Sequence, residues 1–125
     1  MIEINHLLHL HEKVLAISGG GAGVRDNDGL ESAVVRPFLT FDGEALYPGV
    51  MEKSAALMES LIADHPFVDG NKRSGYIAGI ALLDANKTII VATEDECFDF
   101  VMSIASGEYG YDEILSWLKN NTQKL

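Results

Sequence analysis

His65-Pro66-Phe67-Val68-Asp69-Gly70-Asn71-Lys72-Arg73, continuing into Ser74-Gly75-Tyr76-Ile77-Ala78-Gly79-Ile80-Ala81-Leu82-Leu83, is the stretch on which the fold turns. From Arg73 to Asn86 it is apolar or small on nearly every face, which predicts a helix buried at the centre of a bundle. Gly75, Ala78, Gly79 and Ala81 would let neighbouring helices approach it closely. The preceding nine residues form a loop with a histidine at a helix exit, a carboxylate, a glycine and two adjacent cations at the next helix start.

Working back towards the N-terminus, Met51, Ala55, Met58 and Ile62, flanked by Leu57 and Leu61, make one helical stripe that closes before Pro66. Before it, Phe38-Leu39-Thr40-Phe41 and Glu44-Ala45-Leu46-Tyr47 flank Asp42-Gly43, a strong hairpin signal. Such a hairpin is marginal alone and must lean on helices. Asp28 and Glu31 suggest a capping box, with Leu30, Ala33 and Val34 following until Pro37 ends a short helix. Leu7, Leu8, Leu10, Val14, Leu15 and Ile17 give a first helix over Asn5 to Ser18. Gly19-Gly20-Gly21-Ala22-Gly23 then reads as a mobile loop; it follows a helix and lacks Gly-Lys-Ser/Thr, so it is no dinucleotide or P-loop motif. Asp26-Asn27-Asp28-Gly29 lacks the later ligands of a calcium loop and suits a turn into a cap.

Towards the C-terminus, Thr88-Ile89-Ile90-Val91 reads as a buried extended connector, and Thr93 with Glu96 as a capping box. Phe98, Val101, Ile104 and Ala105 predict a fifth helix ending at Gly107, with Cys97 on its apolar stripe as a small core residue. Tyr111, Ile114, Leu115 and Leu118 predict a last helix; Trp117 suits either core or a partner surface. The expectation is an all-α, mainly helical single domain over residues 1–125: about six helices around a buried central helix, with one short β-hairpin.

Composition narrows the function. A chain of 125 residues with 47% apolar and 22% charged residues builds one ordinary core. Nineteen Asp and Glu against nine Lys and Arg give a formal charge of -10, the wrong sign for nucleic acid or an anionic membrane surface. No apolar run approaches the ~20 residues that span a bilayer, and Met1-Ile2-Glu3-Ile4-Asn5 lacks the cationic start of a signal peptide. With Cys97 as its only cysteine the chain forms no internal disulfide, so a reducing cytoplasm is the expected compartment.

Backbone N–H groups at a helix start, beside a glycine that permits close approach, suit an anion. Lys72 and Arg73 add charge there, while Asp69 beside a phosphate would need Mg²⁺ between them. Together these suggest a metal-bound nucleotide, with His65 able to take a proton from a hydroxyl near neutral pH. The same residues also suit a plain helix exit, a core plug at Phe67 and an Asp-Gly-Asn turn.

The segment resembles the Fic/Doc signature, His-x-Phe-x-Asp/Glu-Gly/Ala-Asn-Gly/Lys-Arg. Gly19-Gly20, Gly23-Val24-Arg25-Asp26 and Leu30-Glu31-Ser32-Ala33 are similar to the N-terminal region of death-on-curing toxins, and Ser106-Gly107 to Trp117-Leu118 to their C-terminal helix. The resemblance implies His65 as catalytic base, Asp69 as Mg²⁺ ligand, and Gly70, Asn71, Lys72 and Arg73 as nucleotide-phosphate contacts, with Phe67 anchoring the loop. It implies a hairpin flap whose Phe38, Leu39, Thr40, Phe41, Leu46 and Tyr47 dock a target strand, though Phe38, Phe41, Leu46 and Tyr47 equally suit a cover for the core.

AMP-transferring relatives carry glycine where Lys72 stands and a second arginine where this chain has Tyr76. The Lys form resembles the death-on-curing branch, which implies phosphoryl transfer from Mg-ATP to a Ser or Thr of a cellular protein, one in translation. AMP transfer, or a non-catalytic nucleotide-binding regulatory module, are the alternatives. No Glu is followed by Gly or Asn, so the family's built-in inhibitory motif is absent and a separate antitoxin is expected as partner. His6 and His9 lack the spacing of a metal pair, and His11 is expected to serve structure.

Overall fold

The computed structural model describes residues 4–125; Met1, Ile2 and Glu3, read above for leader character, lie outside the described residues. In chain order come α1 (Ile4–Ser18), α2 (Asn27–Val35), a 3-10 turn (Arg36–Phe38), β1 (Thr40–Phe41) and β2 (Glu44–Ala45). Then follow α3 (Val50–Ala63), α4 (Asn71–Ala85), β3 (Thr88–Ile90), α5 (Glu94–Ala105), α6 (Tyr111–Asn120) and β4 (Thr122–Lys124). The fold is mainly helical, as expected. No helix among the described residues is long and apolar enough to cross a membrane.

The most enclosed helix is α3, whose residues serve both halves of the core. Ala55, Met58 and Ile62 pack with Leu83, Phe100, Ile104, Ile114 and Leu118. Leu57 and Leu61 pack with Leu7, Leu30, Ala33, Phe67 and Ala78. The predicted centre, α4, lies against α3 and is buried along one stripe, while Ala81 points to solvent. Gly75 and Gly79 bring the two helices together: a Cβ at Gly75 would stand 2.5 Å from Ile62 Cγ1, and one at Gly79 2.6 Å from Met58 Cγ. Ser54 Oγ donates to the Gly79 carbonyl at 2.8 Å across the same seam.

Local signals explain the ends. Thr93 and Glu96 form the expected capping box of α5. For α2 the cap is Asp26, accepting from Gly29 N–H, rather than Asp28 with Glu31. Asp42 (φ 53°) and Gly43 (φ 80°) are both left-handed, as a type I′ turn requires, and pair Thr40 with Ala45 and Phe41 with Glu44.

Three expectations are corrected. The segment 88–91 is not a mere connector: β3 pairs antiparallel with β4, so a second two-stranded sheet ties the C-terminal residues to the end of α4. Within α5 it is Phe100 that enters the core, stacked on Trp117 with centroids 3.8 Å apart, whereas Phe98 is 65% exposed. In α1, Leu7 and Val14 are buried but Ile17 is exposed.

Replacing Gly75 by alanine forces Ile62 and the Leu61 Cβ to give way. We expect overpacking of about 1–3 kcal/mol to outweigh the helix-propensity gain of about 1 kcal/mol, seen as a lower urea midpoint at unchanged m-value.

Candidate active site

The loop between α3 and α4 must reverse the chain between two helices in close contact. Helix α3 is closed by Asp64, and His65 then takes a left-handed conformation (φ 50°), the position where helices commonly place glycine. A non-glycine residue there costs on the order of 1 kcal/mol, and such strain concentrates at functional sites. Pro66 and Phe67 are buried; Phe67 stacks on His11 with centroids 3.8 Å apart and planes 7° from parallel.

Asn71, the first residue of α4, closes the loop. Its Oδ1 accepts from Phe67 N–H at 2.9 Å and its Nδ2 donates to the Phe67 carbonyl at 3.0 Å, as a neighbouring strand would. Its buried side chain is therefore a staple for the loop. Gly70 precedes α4 in a left-handed conformation (φ 76°), and no side chain caps the helix start.

The glycine-rich segment, expected to be a free loop, lies alongside the site. Val68 N–H donates to the Gly23 carbonyl, Val24 bridges Phe67, and Arg25 and Asp26 N–H both donate to the Pro66 carbonyl. Asp69 is oriented from this side. Its Oδ1 accepts from Gly70 N–H at 2.8 Å, its Oδ2 from Gly21 N–H at 3.4 Å, and a Cβ at Gly20 would stand 2.6 Å from Oδ2. His11 Nε2 donates to the Asp69 carbonyl at 2.6 Å, which assigns its proton to that nitrogen. His11, 3% exposed, is thus structural, as expected, whereas His6 and His9 lie exposed. Its inward position was legible: Leu7, His11 and Val14 share one helical face.

His65, Asp69, Gly70, Asn71 and Lys72 line a cleft of about 220 Å³. Lys72 also borders a second, more apolar cleft of about 320 Å³ with Arg73, Tyr76, Cys97, Phe98, Val101 and Met102. Cys97 is therefore half-buried beside two cations instead of packed in the core. Burial pushes the Tyr76 phenol well above its ordinary range, and its hydrogen bond with Cys97 does the same.

The flap is anchored at its root. Arg36 bonds Tyr47 Oη at 3.0 Å, Ser60 Oγ at 3.0 Å and Glu59 at 2.9 Å, and Lys53 donates to the Tyr47 carbonyl. Burial opposes the Arg36 charge, but the bonds to Tyr47 and Glu59 outweigh it and hold the guanidinium above its usual pKa. Phe38 and Tyr47 are half-buried, while Leu39, Thr40, Phe41 and Leu46 are exposed. A cleft of about 470 Å³ runs from Leu39 and Tyr47 to Asp64, the neighbour of His65. Among the described residues no group of three or more His, Cys, Asp or Glu could hold a metal ion.

The loop thus brings His65 and Asp69 of the motif to one cleft at the start of α4, within a mainly helical fold. Residues 1–83 match the Fic/DOC family, and the chain belongs to it. It is 36% identical over 102 residues to Toxin Doc of Mycolicibacterium smegmatis, a match covering 80% of this chain and 78% of that one.

Relieving the left-handed strain by His65→Gly is expected to stabilise the fold by about 0.5–1 kcal/mol, while Asn71→Ala, which orphans two buried backbone groups, costs about 2–4 kcal/mol. Chemical denaturation of both variants checks this.

Proposed function

We propose that the protein is the toxin of a toxin–antitoxin pair and transfers the γ-phosphoryl group of Mg-ATP to a Ser or Thr hydroxyl of a cellular protein, one in translation. The observation that carries this reading is the exposed, left-handed His65 at the cleft shared with Asp69, Gly70 and Lys72. Left-handed histidine is retained at a cost, and a purely structural turn would favour glycine.

His65 takes the proton from the target hydroxyl. The hydroxyl oxygen then bonds to the γ-phosphorus, the bond from that phosphorus to the β,γ-bridging oxygen breaks, and the nucleoside diphosphate leaves. Lys72 and the N–H groups at the start of α4 meet the charge that spreads over the phosphate oxygens, and Arg73, on the adjoining cleft, adds positive charge nearby. Asp69 fits a magnesium ion: one hard oxygen donor, oriented by backbone N–H groups, with phosphates and water completing the shell. Bound there, Mg²⁺ would neutralise phosphate charge. The exposed flap residues Thr40 and Phe41 offer a strand edge to the target. Lys72 lines the cleft where AMP-transferring relatives carry glycine, and a side chain there obstructs the pose that presents the α-phosphate, which supports phosphoryl over AMP transfer.

Expression alone is expected to arrest growth, and His65→Tyr or Asp69→Ala to abolish the arrest; arrest in both variants would defeat the catalytic reading. Label from γ-labelled but not α-labelled ATP should reach the target, the reverse pattern meaning AMP transfer. Nucleotide binding measured by calorimetry, with no transfer to lysate proteins, would mean a regulatory module.

A further inference from the structure

We propose that Arg25 is a positioning residue for His65, holding the base in its reactive orientation by clamping the two peptide groups on either side of it. This rests on the reading of His65 as the base. The Arg25 Nη2 donates to the Asp64 carbonyl at 2.8 Å and to the His65 carbonyl at 2.6 Å, and its Nε donates to the His65 carbonyl at 2.9 Å. The Asp64 carbonyl belongs to the peptide plane before the His65 Cα, and the His65 carbonyl to the plane after it. One rigid, planar guanidinium therefore sets both φ and ψ of His65. Only the side-chain torsions of the imidazole remain free.

The clamp answers two needs. Carbonyls past the end of α3 have no helical partner and carry the negative end of the helix dipole, so a cation there makes charge-assisted bonds. The left-handed backbone of His65 would otherwise relax towards the extended conformation preferred before proline. Backbone pairing reinforces the clamp, since Arg25 N–H also donates to the Pro66 carbonyl at 2.8 Å. The Arg25 side chain is exposed and sits outside both core clusters, so its removal leaves packing intact. The phosphate side of the site is held independently, by Asn71 on Phe67 and by His11 on Asp69.

A displacement of the base of the order of 1 Å lowers the rate about 100-fold, without touching nucleotide contacts. The test measures transfer of γ-labelled phosphate from Mg-ATP to lysate proteins, at saturating and half-saturating ATP, for wild type, Arg25→Ala, Arg25→Lys and His65→Ala. The expected result is a saturating rate at least about tenfold lower in Arg25→Ala, with the half-saturating ATP concentration unchanged. Arg25→Lys keeps the charge and the fold but cannot bridge two carbonyls in one plane, and stays slow. A wild-type rate in either Arg25 variant overturns the proposal, as does a loss of ATP affinity in step with rate. If His65→Ala keeps the wild-type rate, or wild type transfers no label, the reading of His65 as base falls first and this proposal with it.

Discussion

The close approach of α3 and α4 is the constraint from which the site follows. Two glycines, Gly75 and Gly79, leave room for Ile62 and Met58 where side chains of their own would stand. With the helices this near, residues 64–70 must reverse the chain within a short span, and such a connection makes its helices antiparallel neighbours. The reversal is achieved with two left-handed residues, His65 leaving α3 and Gly70 entering α4. Between them Phe67 is driven into the core, which pins the middle of the loop and leaves its two ends at the surface. The same packing that stabilises the fold thus sets the histidine and the helix start on one cleft.

Such a loop has many ways to be slightly wrong, and its neighbours remove most of them. Asn71 satisfies both backbone groups of Phe67, His11 holds the Asp69 carbonyl, and the segment from Gly20 to Asp26 pairs with residues 66–69 along its outer side. Left without partners, the buried N–H and carbonyl of Phe67 would each cost about 1–3 kcal/mol. Gly20 is small for a reason visible in the geometry, since a side chain there would strike the Asp69 carboxylate. The glycine-rich segment is therefore a wall of the site.

The sequence made the loop legible because its signals are local. A dense motif of nine residues, a hairpin announced by Asp42-Gly43 and a capping box at Thr93 and Glu96 each need only neighbours along the chain. What escaped was non-local or ambiguous. The pairing of β3 with β4 joins segments far apart in sequence, and Thr122-Gln123-Lys124 has no apolar alternation to betray a strand. Phe98 and Phe100 stand about 200° apart on a helix, so only one can face inward; Val101 and Ala105 border both faces and pack against the core only in part, while Ile104 is buried with Phe100. The bond of the Asn71 side chain to Phe67 escaped for a related reason: an amide at a helix start suits many partners, and only the position of Phe67 shows which one it takes.

The flap poses the opposite problem from the loop, because it is held at one end and open at the other. Strands of two residues cannot stand alone, so the hairpin depends on Arg36 and Lys53 at its root. Its tip exposes Phe41 to 75% and Leu46 to 51%, an apolar strand edge of the kind that invites pairing between copies. Asp42 and Glu44 flank that edge, and the chain carries a formal charge of -10, so a second copy meets like charge at the point of contact. A basic strand meets the opposite field and is drawn in from a distance. The acidity of the chain therefore bears on the flap as well: like charge beside an apolar strand edge opposes pairing of the edge with itself.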